Sequence, residues 1–226
     1  MPLTPQTDPT PLPDLTEFGD VMLVGGTFDP PHLAHTGLAE AARDRVAPGA
    51  QLFFVPAARS PHKETGPDAG EGDRITMLRI AIAPIADAHV WTDEIDRASS
   101  GEPSYWFTTL VRARQLVGED RRLLFLIGAD QALSFHRWSK PGRILELADV
   151  VVINRGEVRS KAELEARLEG TPLAHELVDA WCDVPQMDIS ATDVRKALAS
   201  ENESDLTGVL AREVASYIGR HGLYRD

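Results

Sequence analysis

The sequence predicts an α/β domain in which helices cover both faces of an open, mainly parallel sheet. Short apolar runs rich in β-branched and aromatic residues alternate with longer amphipathic segments from residue 21 onward. Each run is too short for a helix, and the repeated β, α, β, α order favours parallel neighbours. Because parallel strands end together at one edge of their sheet, functional residues are expected at that edge.

Five runs predict the strands, and their continuous apolar character indicates burial on both faces, as in a Rossmann-like sheet. In chain order they read VMLV, QLFFVPA, HVWTDEI, RLLFLIG and DVVVIN. Four segments with helical spacing of their apolar residues predict helices between and after these strands. The segments read GLAEAARDRV, DRITMLRIAI, WFTTLVRARQLV and KAELEARLEG.

The domain organisation follows from a change of composition near residue 20. Residues 1–19 interleave proline with threonine and aspartate, which predicts a flexible tail that buries little. Residues 20–226 are expected to form a single domain, with a helical C-terminal part from about residue 190. The longest predicted loop, RSPHKETGPDAGEGD, follows the second strand and is a candidate for a mobile functional loop.

Composition narrows the class of partner. A net charge of -12 argues against nucleic acid or an anionic membrane, since both require clustered positive charge. Cys182 is the only cysteine, which excludes an intrachain disulfide and fits a reducing compartment, so a cytoplasmic location is expected. The sequence holds no apolar run of about 18 residues, as a membrane span needs. A homo-oligomer stays possible, because one sequence does not locate an interface.

The stretch VGGTFDPPHLAH joins two glycines to two histidines at the end of the first predicted strand. Gly25 and Gly26 would permit either a plain strand-to-helix turn or the close approach of a phosphate. His32 and His35 are three residues apart, so both imidazoles would project from one face of a helical first turn. Together the two pairs predict a phosphate-binding site, which neither pair would indicate alone.

These residues also resemble a known family. GGTFDPPHLAH resembles the signature G-G-T-F-D-P-x-H-x-G-H of the nucleotidylyltransferase superfamily, with Ala34 where the family usually has glycine. The later stretch ISATDVRKAL resembles the superfamily motif I-S-S/A-T-x-x-R. Four further stretches resemble one branch, the bacterial nicotinate mononucleotide adenylyltransferases: SPHK, PSYWFTTL, FLIGADQALSFHRW and YIGRHGLYRD. The resemblance runs from about residue 21 to the end of the chain.

The resemblance implies an enzyme that transfers the adenylyl group of ATP to nicotinate mononucleotide, with Mg²⁺ accompanying the ATP. The products would be pyrophosphate and deamido-NAD, an intermediate of NAD biosynthesis. The resemblance assigns the catalytic roles to His32, His35 and Arg195. The residues that it assigns to ATP binding are Gly25, Gly26, Thr27, Phe28, Gly128, Asp130, Ile189, Ser190 and Thr192.

The same resemblance assigns a second set of residues to the mononucleotide. They are His62, Lys63, Tyr105, Trp106, Phe107, Trp138 and Arg155. Trp106 stands where the branch typically has threonine. If backbone amides bind the nicotinate there, a bulky side chain is tolerated, whereas a role for the threonine hydroxyl would change the selectivity.

Several residues have a structural role as an alternative to a role in binding. Asp29 is as suited to brace the turn as to contact a ligand, and Asp130 could cap a helix instead of accepting from a ribose hydroxyl. Ser190 or Thr192 could cap the last helix motif, which would leave Arg195 at the surface. Trp138 could be a core residue, and Arg155 could lie on the surface.

Other functions are compatible with parts of the same pattern. An adenylyltransferase acting on nicotinamide mononucleotide or on a phosphopantetheine-type acceptor would use the same ATP motifs. A zinc hydrolase could recruit His32, His35 and His62, although no metal ligand is assigned here because no carboxylate has a characteristic spacing. A nucleotide-binding regulator could keep the fold without turnover.

Overall fold

One parallel sheet organises the chain, which a computed structural model describes over residues 8–16, 19–58, 67–98, 105–200 and 206–225. The described strands are β1 Val21–Gly26, β2 Gln51–Pro56, β3 Ala88–Val90, β4 Leu123–Gly128, β5 Asp149–Ile153 and β6 Trp181–Cys182. They pair in the order β3-β2-β1-β4-β5-β6, and every pair is parallel. The predicted α/β class is confirmed.

The described helices lie between and after the strands. They are α1 Leu33–Val46, α2 Glu71–Ile82, α3 Asp93–Ala98, α4 Trp106–Val117, α5 Ala129–Ala132, α6 Pro141–Leu147, α7 Lys161–Leu168, α8 Ala174–Asp179, α9 Ala191–Ala199 and α10 Arg212–His221. None of these helices has both the length and the apolar character that crossing a membrane requires.

One predicted strand divides into two elements. The run HVWTDEI supplies the end of β3 and then the start of α3. The carbonyl of Thr92 accepts from the amide of Asp96 at 2.9 Å, and the Thr92 hydroxyl donates to the Asp96 carboxylate at 2.8 Å. A threonine followed by an acidic first turn is a favourable helix start, so local capping outweighs the β-branched character of the run.

Side chains alternate along the strands between two cores, as the pleat of a strand requires. Leu23 and Phe53 face the first core, which α4, α6, α7 and α8 cover. Met22 and Leu52 face the second core, beneath α1 and α2. Both faces of the sheet are therefore buried, which explains the continuous apolar runs in the sequence.

A third core joins the end of the chain to α2. Met77 of α2 packs with Val194 of α9 and with Val214 and Ile218 of α10, and all four side chains are buried. This contact holds α9 and the C-terminus beside the turn that follows β1.

Residues 8–16 pack against the domain, which differs from the flexible tail expected from their composition. Leu12 is buried in the first core. The Trp91 indole N–H donates to the carbonyl of Thr10 at 2.8 Å, and the Thr10 amide donates to the Asp93 carboxylate at 2.9 Å. The segment thus satisfies buried polar groups near β3 and α3, which composition alone does not reveal.

A buried ion pair connects α3 to α4. The Arg112 guanidinium donates from Nε and Nη2 to the Asp93 carboxylate at 2.7 Å each, and both residues are almost wholly buried. Beside them, the Thr109 hydroxyl donates to the Glu94 carboxylate at 2.6 Å. Because an unpaired buried charge is strongly destabilising, this pairing fixes α4 in its place on the sheet.

Candidate active site

Many of the predicted residues meet in a cleft at the point where the strand order reverses. β1 and β4 are neighbours, but the chain continues from β1 to one side of the sheet and from β4 to the other. Such a switch point opens a crevice at the carboxyl ends of the two strands. The cleft has a volume of about 410 Å³. The predicted residues that line it are Gly25, Gly26, Thr27, Phe28, His32, His35, Asp130, Trp138, Arg155 and Arg195.

Two stacked imidazoles form one wall of this cleft. The His32 and His35 rings lie 3.6 Å apart between centroids, at an interplanar angle of 18°. The backbone N–H of His32 donates to Nδ1 of His35 at 3.2 Å, so the neutral His35 ring carries its proton on Nε2. Both ring nitrogens of His32 are buried and have no hydrogen-bond partner in the described part of the chain. Buried polar atoms without partners are uncommon and fit a ligand-binding site.

Both histidines are neutral at pH 7 in this arrangement. Burial lowers the pKa of His32 from 6.5 to about 3, and the positive charge of Arg155 adds to that effect. Burial also lowers the pKa of His35 well below 6.5, with further contributions from His32 and Arg155. The two rings can therefore act as neutral N–H donors to an anion, without the desolvation cost of buried cations.

The turn between β1 and α1 is compact. Phe28 has a φ of 49°, in the left-handed region, and the Asp29–Pro30 peptide bond is cis. The Phe28 side chain is buried and its ring meets the His35 ring edge-on at 5.0 Å between centroids. Phe28 thus reaches the cleft while its ring supports the second imidazole.

Asp29 braces this turn, which resolves one of the alternatives left by the sequence. Its buried carboxylate accepts from the amides of Asp68 at 2.8 Å and Ala69 at 3.1 Å, and from the Tyr224 hydroxyl at 2.7 Å. Its backbone carbonyl accepts from Nη1 of Arg195 at 2.8 Å, and Nε of Arg195 pairs with the Asp68 carboxylate. The side-chain oxygens of Asp29 are therefore engaged with the protein itself.

Sequence reasoning missed Arg74, a wholly buried arginine of α2. Its Nη1 donates to the carbonyl of Thr27 at 2.7 Å and to that of Ala57 at 2.8 Å. The guanidinium therefore ties the end of β2 to the turn after β1. A signal was present, because Arg74 lies three and four residues before Met77 and Leu78 and so on the apolar side of an amphipathic helix.

Two glycines at strand ends, Gly25 of the cleft and Gly128, which does not line it, leave room for the protein's own side chains. A Cβ built at Gly25 would overlap the Trp106 indole, and one at Gly128 would overlap the Asp130 carboxylate and crowd Arg155. The sequence predicts that Gly25 and Gly26 allow a ligand phosphate to approach the backbone closely. At Gly25 and Gly128 the structure adds a second reason, since side chains that shape the site pack directly against these backbones.

The start of α9 brings only part of its motif to the cleft. Arg195 lines it, whereas Ser190 and Thr192 are exposed and do not. Ser190 occupies the N-cap position, but its side chain makes no hydrogen bond to the α9 amides in the described residues, so the predicted side-chain cap is absent. Ile189 packs between the second and third cores.

Aromatic residues close the far end of the cleft. Trp138 lines it and lies 5.1 Å from Phe135 and 6.2 Å from Phe125, measured between ring centroids. Trp106, an expected mononucleotide contact, does not line the cleft: its ring packs against the backbone of Gly25 and lies 4.2 Å from that of Phe125. Phe107, which was expected at the mononucleotide, is instead buried in the first core and does not line the cleft. Its position one residue into α4 turns it toward the sheet.

Three further expected contacts of the mononucleotide, besides Trp106 and Phe107, are not placed in the cleft. Tyr105 precedes α4, is 42% exposed and does not line the cleft. His62 and Lys63 lie outside the residues that the structure describes.

The lowered pKa of His32 predicts that the protein loses stability in mild acid. Between about pH 3 and 6.5 the unfolded chain binds a proton at His32 that the folded protein does not, so the free energy of unfolding falls as the pH drops below 6.5. We expect this histidine alone to lower the free energy of unfolding by about 1.4 kcal/mol when the pH falls from 7.5 to 5.5. Urea unfolding of wild type and His32→Gln at both pH values measures the difference.

The exposed His175 of α8 supplies the matched control. His175→Gln should lose as much stability as wild type over this pH range. Equal losses for wild type and His32→Gln would contradict a neutral, buried His32.

The contact between Gly25 and Trp106 predicts a stability coupling. Gly25→Ala should lower the free energy of unfolding of the protein by about 1–3 kcal/mol, because the added methyl group overlaps the Trp106 indole. In a Trp106→Thr background the same substitution should cost at least about 1 kcal/mol less. Gly142→Ala has open space around it and should add to Trp106→Thr without coupling. Additive free energies of unfolding for Gly25→Ala and Trp106→Thr would show that the two residues do not touch.

The chain is similar to known proteins over most of its length. The chain matches the cytidylyltransferase-like family over residues 23–197. A protein of Stenotrophomonas maltophilia named "Probable nicotinate-nucleotide adenylyltransferase" is 34% identical over 221 residues, which cover 89% of this chain and 95% of the relative. A protein of the same name from Chromobacterium violaceum is 33% identical over 225 residues, which cover 91% of this chain and 98% of the relative.

Solved structures share the fold. Plasmodium falciparum nicotinic acid mononucleotide adenylyltransferase complexed with NaAD superposes with a TM-score of 0.69 at 17% identity, over 92% of this chain and 98% of that one. The identity is too low for this likeness to show more than the fold, but the curated relatives are closer and span almost the whole chain. The chain therefore belongs to the cytidylyltransferase-like family and, within it, to the nicotinate-nucleotide adenylyltransferases.

Proposed function

We propose that this protein transfers the adenylyl group of ATP to nicotinate mononucleotide, forming deamido-NAD and releasing pyrophosphate. The observation that carries this proposal is the cleft between β1 and β4, where two neutral imidazoles, Arg195 and a glycine turn face one space. Such groups bind and neutralise a triphosphate. The names of the curated relatives agree with this activity.

The reaction needs positioning more than acid–base chemistry. A phosphate oxygen of the mononucleotide attacks the α-phosphorus of ATP, one P–O bond forms, and the bond to the pyrophosphate oxygen breaks. The attacking phosphate is already anionic, so no general base has to remove a proton. Catalysis then consists of alignment and of stabilising charge on the leaving pyrophosphate.

The histidines would supply neutral donors to that developing charge. Nε2–H of His35 and the single N–H of the neutral His32 ring, whose two nitrogens have no partner among the described residues, would donate to triphosphate oxygens. The approach of the anion favours the protonated imidazole and so raises the pKa of each ring. Each histidine can thus strengthen its interaction as negative charge accumulates in the transition state.

Arg195 would hold the other side of the triphosphate. Its guanidinium lines the cleft while Nη1 and Nε are tied to the β1–α1 turn and to Asp68. Such fixed geometry suits an arginine that binds phosphate oxygens. Ser190 and Thr192, at the exposed start of α9, would add hydroxyl and amide donors once ATP is bound.

The mononucleotide would occupy the opposite end of the cleft. Trp138 offers an aromatic face for the pyridine ring, and Arg155 offers a cation for the substrate carboxylate or phosphate. Asp130 lies at the start of α5, where it could accept from a ribose hydroxyl. The resemblance adds His62 and Lys63 as phosphate contacts.

ATP would enter as its Mg²⁺ complex, so the ion belongs to the substrate. Magnesium screens the triphosphate and assists departure of pyrophosphate. In the described part of the chain, no three His, Cys, Asp or Glu side chains cluster as ligands for a metal.

The partners follow from the same chemistry. Nucleotide substrates fit the cleft, whereas the net charge of -12 gives no reason to expect nucleic acid or an anionic membrane as a partner. A cytoplasmic location agrees with the use of a single cysteine. A homo-oligomer is part of the proposal, and gel filtration with light scattering would measure the oligomeric state.

Competing functions make different products. Adenylyl transfer to nicotinamide mononucleotide or to a phosphopantetheine-type acceptor would also release pyrophosphate from ATP, but the adenylylated product would differ. A zinc hydrolase would retain tightly bound zinc after dialysis, and a regulator would bind ATP without releasing pyrophosphate. What supports the nicotinate acceptor is Arg155, a cation that lines the cleft and would select a carboxylate over an amide if it meets the pyridine ring's substituent.

A pyrophosphate-release assay tests the proposal. Wild-type protein with Mg²⁺, ATP and nicotinate mononucleotide should release pyrophosphate, and His32→Ala should lower kcat by about 100-fold or more. The exposed His175→Ala should match wild type. With nicotinamide mononucleotide we expect kcat/KM to fall by about 10- to 100-fold. No release above the His32→Ala level would refute adenylyl transfer.

Trp106→Thr tests the choice of acceptor in the same assay. Because the Trp106 ring packs behind Gly25 and does not line the cleft, this variant should keep the wild-type preference between the two mononucleotides. A reversed preference would place the indole in contact with the acceptor.

A further inference from the structure

Asp29 accepts four hydrogen bonds, three at its carboxylate and one at its backbone carbonyl, in the turn between β1 and α1, residues 27–32, which is called the phosphate turn below. The residue is 3% exposed. Its carboxylate oxygens accept hydrogen bonds from the backbone amides of Asp68 and Ala69 and from the Tyr224 hydroxyl. Asp29 precedes His32 by three residues and its carbonyl holds Arg195. Any displacement of this carboxylate would therefore move both sides of the triphosphate site.

The C-terminus reaches this carboxylate across the molecule. Tyr224 is 195 residues from Asp29 in the chain, and its hydroxyl donates to Oδ1 at 2.7 Å. The third core carries it there, because α10 packs on α2 through Val214 and Ile218. Tyr224 is the third residue after α10 and adopts a φ of 63°. A left-handed conformation is uncommon for tyrosine and persists only where surrounding contacts impose it.

The environment keeps the Tyr224 hydroxyl protonated and donating. Burial and the hydrogen bond to the Asp29 carboxylate raise the pKa of Tyr224 above its usual value. A donor to a charged acceptor makes one of the stronger hydrogen bonds in a protein. The hydroxyl therefore stays protonated at neutral pH, as a donor to Asp29 must be.

We infer that Tyr224 is a positioning residue for ATP, which acts through the Asp29 carboxylate on the turn that carries His32. This inference rests on the proposed function for its kinetic consequences, but its effect on ATP binding is independent of turnover. Among the described residues, Oδ1 of Asp29 accepts two hydrogen bonds, from the Tyr224 hydroxyl at 2.7 Å and from the Ala69 amide at 3.1 Å, and the tyrosine supplies the shorter one.

A second tyrosine provides the matched control. Tyr217 of α10 also donates from its hydroxyl to an aspartate, Oδ1 of Asp73 at 2.8 Å. Both tyrosines connect the C-terminal part of the chain to the rest, but Asp73 lies in α2 and does not line the cleft. Tyr224→Phe and Tyr217→Phe each remove one hydroxyl and one such hydrogen bond, and only the first removes a contact to the phosphate turn.

The experiment measures ATP binding and kinetics in both variants. Calorimetry with an ATP analogue that has a methylene bridge between its α- and β-phosphates should show about a ten-fold weaker Kd for Tyr224→Phe. In the pyrophosphate assay the KM for ATP should rise by a similar factor, with the KM for nicotinate mononucleotide within two-fold of wild type. Tyr217→Phe should leave all three constants within about two-fold of wild type.

The pattern of changes separates positioning from stability. A purely structural loss lowers the active fraction, so kcat would fall while both KM values and the analogue Kd stayed at their wild-type values, and that result would overturn the inference. An unchanged Kd in folded Tyr224→Phe would overturn it too. Wild type that binds the analogue but releases no pyrophosphate would refute the proposed function, while the Kd comparison would still decide the role of Tyr224.

A double-mutant cycle tests whether the effect passes through Asp29. In an Asp29→Asn background, Tyr224→Phe should weaken analogue binding by less than about two-fold, because the charged acceptor has already been removed. A ten-fold effect that persists in that background would show that Tyr224 acts by another route and would contradict the inference.

Discussion

The buried carboxylate of Asp29 is the constraint on which the geometry of this site depends. A charge in that position must be satisfied by hydrogen bonds, and the donors come from residues 68 and 69 and from the C-terminal Tyr224. Those bonds draw together parts of the chain that are distant in sequence. The turn after β1 is consequently fixed before any ligand binds, which is the preorganisation that phosphoryl chemistry requires.

The charges in the cleft depend on how deeply its residues are buried. Burial keeps the stacked His32 and His35 rings neutral, and the cationic charge of Arg155 reinforces that state. The positive charge of the cleft is carried by its arginines, Arg155 and Arg195. A chain with a net charge of -12 can therefore bind polyanionic substrates, because the local balance of charge at the switch point differs from that of the whole.

The sequence predicted the fold class and the main cleft residues because each leaves a local pattern. Buried parallel strands are continuous apolar runs, and the two histidines with their glycine turn form one short motif. The bond between Tyr224 and Asp29 leaves no such pattern, since it joins residues 195 positions apart. The contact between Trp106 and Gly25 likewise forms only when α4 packs on the sheet, so the sequence around either residue does not predict it. The strand β6 has two residues, which is too short to produce a periodic pattern of apolar residues.

Transfer of labelled phosphorus tests the central claim most directly. ATP labelled at the α-phosphorus is incubated with the protein, Mg²⁺ and nicotinate mononucleotide, and the label is followed by chromatography and on the denatured protein. A single displacement at the cleft predicts label in the dinucleotide product, unlabelled pyrophosphate in equal amount and no label on the protein. Label in free AMP, or bound covalently to the chain, would contradict direct adenylyl transfer between the two nucleotides.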